Sequence, residues 1–98
     1  MMIRVTEMNA SDEITIRTQF KDYSFRVLDS DDCRGVLTGG KPMDLQAAMF
    51  VEAIHPENCE RRKLTELEPG DRAVFLVGRH NIKKLTTSTI TEIIWGII

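Results

Sequence analysis

Apolar and polar residues alternate with period two along most of this chain. Between Glu13 and Phe20, the residues Ile14, Ile16, Thr18 and Phe20 fall on one face, and Glu13, Thr15, Arg17 and Gln19 on the other. That is the pattern of a half-buried strand. Tyr23, Phe25 and Val27 resume it beyond Lys21-Asp22, which predicts a hairpin. Lys-Asp is a poor type I′ pair, so the turn is expected to exceed two residues. Asp29-Ser30-Asp31-Asp32 breaks the alternation and reads as a loop. Arg34 to Thr38 reads as a short strand, closed by Gly39-Gly40-Lys41-Pro42.

The segment from Met43 to His55 supports two readings. Asp44 could cap a helix carrying Leu45, Ala48, Met49 and Glu52 on one face. Alternatively, Ala48 to His55 is a buried strand stopped by Pro56. The strand is the expectation, because the neighbouring elements are β and local propensity is a weak guide. A polar stretch follows. Then Leu67-Glu68-Pro69-Gly70-Asp71 places Pro-Gly at the centre of a type II turn. Arg72 to Val77 is continuously apolar after its first residue and reads as a central strand. Arg79 to Lys84 reads as a polar loop. Leu85 to Ile94, rich in threonine, reads as the last strand. The expected core is Ile14, Ile16, Phe25, Val27, Val74, Leu76, Ile90 and Ile93.

One internal echo stands out. Thr6 to Ile16 aligns without gaps on Thr65 to Phe75: an apolar anchor, a small-residue turn, an aspartate, then a strand. A duplicated hairpin unit would give this, and so would two uses of one common strand-opening turn. The common turn is the plainer account, and both predict strand starts at equivalent places. The fold expected is therefore mainly β, a small antiparallel β-barrel or sandwich of about six strands with at most one short helix. The 98 residues fit a single domain, 1–98.

Composition narrows the function classes. The net charge is −2 and the pI about 5.6, a balance that weighs against a dedicated nucleic-acid binder. The N-terminal residues show no apolar signal-peptide core, and no apolar run is long enough to span a bilayer. Two cysteines are too few for a disulfide scaffold. A cytoplasmic setting, with no membrane contact, is expected.

Candidate chemistry is sparse. Cys33, His55, Cys59 and His80 are soft-metal ligands, but only His55 and Cys59 form a local pair, His-x3-Cys. A structural zinc site uses two such pairs, so no metal is expected. Asp29 to Gly40 fails as an EF-hand loop, with Cys33 at its fifth position, Arg34 at its sixth and Gly40 at its twelfth. Gly35, Gly39, Gly40 and Lys41 do not make a phosphate loop, since Pro42 follows the lysine; turns needing positive φ are the simpler account. No nucleophile motif is present, so no catalytic residue, enzymatic activity or cofactor is expected. The basic clusters Arg61-Arg62-Lys63 and Arg79-His80 with Lys83-Lys84 flank the strand from Arg72 to Val77 at opposite ends, which weakens the case for one nucleic-acid patch.

Ile90, Ile93, Ile94, Trp95, Ile97 and Ile98 crowd the C-terminal segment. Strict alternation would send Ile90 and Ile94 to one face, and Ile93 and Trp95 to the other. One face of one strand cannot hide them all. Burial is therefore expected, either under the segment from Leu45 to Ile54 or in a homodimer contact formed by Trp95, Ile97 and Ile98. The expected function is a non-catalytic binding or assembly module that self-associates. A nucleic-acid-binding small barrel is the alternative.

Overall fold

A computed structural model describes residues 2–39, 45–55, 58–63, 65–78, 80 and 83–96. These are mainly β-strand, with one 3₁₀ turn, Val5–Glu7, as the sole helical piece among them. In chain order the strands are β1 (Ile3–Arg4), β2 (Glu13–Thr18), β3 (Asp22–Asp29), β4 (Arg34–Gly39), β5 (Leu45–His55), β6 (Asn58–Lys63), β7 (Glu66–Leu67), β8 (Arg72–Val77), β9 (Lys83–Thr86) and β10 (Ile90–Gly96). The large sheet runs β10-β2-β3-β4-β5-β8-β9, with β6 also on β5, and β1 pairs β7 in a small second sheet. All the described pairings are antiparallel.

The ambiguous middle segment is the long strand β5. It bonds β4 and then β6 along one edge and β8 along the other. Its helix-forming residues yield to that two-sided pairing, an instance of tertiary context overriding propensity. Gly35 and Gly39 belong to β4, and neither has positive φ. A side chain at Gly35 would run into the Arg26 carbonyl and the Phe25 ring, and the Tyr23 ring lies over Gly39. These glycines therefore permit close approach across the β3–β4 pair. Gly40 to Asp44 lie outside the described residues.

The aligned segments adopt one local structure. Asp12 N–H donates to the Asn9 carbonyl and Asp71 N–H to the Glu68 carbonyl. Ser11, at φ 76°, and Gly70, at φ 97°, occupy matching left-handed positions. Their N–H groups donate to the Val27 and Ile90 carbonyls, and in return Val27 and Ile90 donate to the Asp12 and Asp71 carbonyls. Met8 and Leu67, Asp12 and Asp71 are buried in equivalent places. β2 and β8 follow, each opening a hairpin. The similarity is thus a turn–strand–hairpin unit used twice, extending beyond the turn itself.

Ile90 ties the start of β10 to the turn that opens β8. Its N–H and carbonyl bond Asp71 and Gly70 ahead of β8, while the same residue pairs Thr18 of β2. The threonine-rich segment is accordingly two strands, β9 on β8 and β10 on β2, with a corner between them. Thr87 makes that corner: its buried hydroxyl accepts the Ala73 N–H at 3.0 Å and donates to the Ser88 carbonyl at 2.8 Å.

The core lies on the inner face. Phe75 is at its centre, with its ring 5.2 Å from Phe25 and 5.6 Å from Phe50. Six expected core residues, Ile14, Ile16, Phe25, Val27, Ile90 and Ile93, are buried in it. On β8 the inner residues are Ala73, Phe75 and Val77. Leu76 is only half-buried and faces the other way. Val74 is buried but sits outside that core cluster. Phe20 is also misplaced by simple alternation. β2 ends at Thr18, and the turn carries Phe20 outward.

Candidate interaction surface

β10 stands at the end of the sheet path. It pairs β2 from Ile90 to Gly96. Beyond Ile90, no described residue bonds the backbone of its opposite edge. A register shift between Ile90 and Glu92 breaks the alternation, so Ile90 and Ile93 both turn inward. Ile94 lies opposite Thr15 on the outer face, and Trp95 opposite Ile14 at the inner margin. They are 41% and 39% exposed. Trp95 is thus only partly covered among the described residues. Ile97 and Ile98 lie outside the described residues.

The outer face of β2, β3 and β4 carries a groove of about 380 Å³ lined by Glu13, Arg26, Leu28, Val36 and Thr38. Glu13, Arg26 and Val36 form one row across the strands, which Gly96 of β10 extends. Arg26 Nε lies 3.9 Å from Glu13 Oε2. Leu28 is 57% exposed beside them. In the row nearest the β2–β3 turn, Arg17 lies 3.2 Å from Glu92 and 3.8 Å from Asp22. Exposed pairs of this kind contribute little to stability.

That turn projects Phe20, which is 82% exposed. Thr18 Oγ1 donates to the Lys21 carbonyl at 2.6 Å and accepts the Lys21 N–H at 3.2 Å, while Lys21 Nζ sits 5.7 Å from the centre of the Tyr23 ring. Sequence reasoning foresaw this hairpin and a turn longer than two residues, but missed the exposure of Phe20 and the groove. A signal existed for Leu28, which shares parity with Ser24 and Arg26 on the polar side of β3.

The soft ligands are dispersed in the fold. Cys33 is buried where β4 begins, at φ 55°, with its N–H bonded to the Ser30 carbonyl. Burial pushes its thiol above the usual range, and the Asp32 and Asp29 carboxylates add to the effect. His55 ends β5 and Cys59 stands in β6, across a hairpin whose His55 pairs Asn58. The Cys59 side chain lies outside the described residues. His80 is exposed. Among the described residues, no three His, Cys, Asp or Glu side chains are grouped to hold a metal ion.

The basic clusters do lie at opposite ends of β8. Arg62 and Arg72 flank Ile54 in one row, whereas Lys83 and Lys84 pair Val77 and Leu76; Arg79 is outside the described residues. Among the described residues no helix is long and apolar enough to cross a membrane. No protein-family model, curated protein or solved structure matches the chain.

Proposed function

We propose that the protein is a non-catalytic binding or assembly module, a small antiparallel barrel that self-associates through β10. The observation that supports this reading is the open edge of β10 with Ile94 and Trp95 beside it, 41% and 39% exposed. An edge strand offers unmet N–H and C=O groups to another strand. Pairing two copies of one edge about a two-fold axis is the simplest way to satisfy both. The bonds of Ile90 to Gly70 and Asp71 support the barrel, because they bring the start of β10 to the turn that opens β8, the strand next to the sheet's other end. A cytoplasmic setting fits the free, buried Cys33.

Light scattering on the intact chain and on chains with Trp95→Lys or lacking residues 95–98 tests the reading. The intact chain is expected to be a dimer, and both variants monomers with unchanged circular dichroism. A monomeric parent at high concentration, or a dimer that survives both changes, would contradict it.

Nucleic-acid binding is the second reading, favoured by the row Arg62-Ile54-Arg72. Phosphate contacts of this sort lose affinity steeply with salt. Any binding to single-stranded RNA or DNA is expected to vanish at physiological salt.

A further inference from the structure

The open edge of β10 offers few bonding positions, and they are set by the phase of β2. Thr18 N–H is given to the Lys21 carbonyl on the β3 side, and the Asp12 carbonyl, in the same phase, accepts from Val27 of β3. The residues between them in alternation, Glu13, Thr15 and Arg17, therefore turn their backbone groups to β10, where they stand opposite Gly96, Ile94 and Glu92. Ile93 and Trp95 are left with N–H and carbonyl pointing away from β2. Ile90 points the same way, but Asp71 and Gly70 already hold its N–H and carbonyl. Thr91 is the extra residue at the register shift.

A two-fold axis can make these positions satisfy each other in one register. Resting on the β10 reading above, we infer that two copies pair antiparallel with the axis at Ile94, so that Ile93 of each exchanges its backbone bonds with Trp95 of the other. An axis at Ile93 would bring the partner's Gly96 opposite Ile90, where the turn ahead of β8 occupies the edge. An axis at Trp95 would leave Ile93 without a described partner, and one at Glu92 would set like charges opposite each other. The side chains agree with the backbone. Ile94 meets its own copy in a non-hydrogen-bonded pair, whose Cα atoms approach to about 4.5 Å. Trp95 comes opposite the partner's Ile93 on the inner side. One register thus covers both apolar side chains that β10 leaves 41% and 39% exposed. Glu92 meets Gly96, which has no side chain, and keeps Arg17 at 3.2 Å.

Disulfide trapping tests the register in a chain carrying Cys59→Ser, with the buried Cys33 left in place and that chain as the blank. Ile94 and Glu92 are exposed, and a side chain at Gly96 would meet the Glu13 carbonyl only at 3.8 Å, so cysteine variants there are expected to fold. Ile94→Cys alone should form a linked dimer under mild oxidation, about tenfold or more faster than Glu92→Cys alone, whose thiols would lie about 13 Å apart along the strands. A mixture of Glu92→Cys and Gly96→Cys should link as readily as Ile94→Cys. Mixtures of Glu92→Cys with Ile94→Cys, or of Ile94→Cys with Gly96→Cys, should give no heterodimer. Preferred linkage in either of those mixtures would overturn the register and leave the β10 dimer standing. A blank that is dimeric by light scattering, with no linkage at any β10 position, would overturn the register and the β10 reading together, as would a monomeric blank.

Discussion

Ser11 and Gly70 occupy the same left-handed position in two copies of one turn, yet only Gly70 does so without a Cβ penalty. Ala10 corresponds to Pro69, which presets the preceding φ. Ser11→Gly and Ala10→Pro are therefore expected to stabilise the fold, by about 0.5–1 kcal/mol each, read as a rise in the denaturation midpoint. Loss of stability from both would mean that the two turns are not equivalent. Cys33 gives a pH-dependent expectation. Its thiol is buried and held protonated by burial and by Asp32 and Asp29, so its folded pKa exceeds the unfolded value. The stabilisation is complete below the unfolded value, about 8.5, and is lost as pH rises through the folded one. Stability measured by urea denaturation should fall above that point, and Cys33→Val should flatten the fall. Identical profiles for both proteins would refute the assignment.

Strand elements were legible wherever one face was apolar and the other polar. β2 and β3 alternate cleanly, and their inner residues could be named from the sequence. β8 could not be resolved in this way, because Ala73 to Val77 are apolar on both faces and period two carries no phase there. The register supplies it, setting Leu76 opposite Met49 and Lys84, and Phe75 opposite Phe50 and Leu85. Ile16→Ala should accordingly cost about 2–5 kcal/mol, whereas Leu76→Ala should cost well under half as much. Equal losses in thermal melts would put Leu76 back in the core. β6 was hidden by its own charge: Glu60-Arg61-Arg62-Lys63 looks like loop, and charged residues are common on strands lying at an edge. The break between β9 and β10 was hidden because threonine suits both a strand and a corner, and Thr87 takes the corner.

At the scale of the molecule, the repeated turn–strand unit organises the fold. In both copies it binds the strand that comes back to it: Val27 of β3 in the first and Ile90 of β10 in the second. The second ties the start of β10 to the turn ahead of β8, while the rest of β10 pairs β2 alone among the described strands. The candidate surface was legible in composition, since the apolar crowding from Ile90 to Ile98 requires a cover. Which residues are covered was not legible, because a single bulge after Ile90 resets the parity of Ile93, Ile94 and Trp95. Amide hydrogen exchange across residues 90–96, followed from dilute to concentrated protein, tests the β10 reading most directly. Edge pairing between copies predicts that the outward-facing amides of β10 gain protection as concentration rises, while β3 and β8 stay constant. Exchange in β10 that is fast and independent of concentration would contradict it.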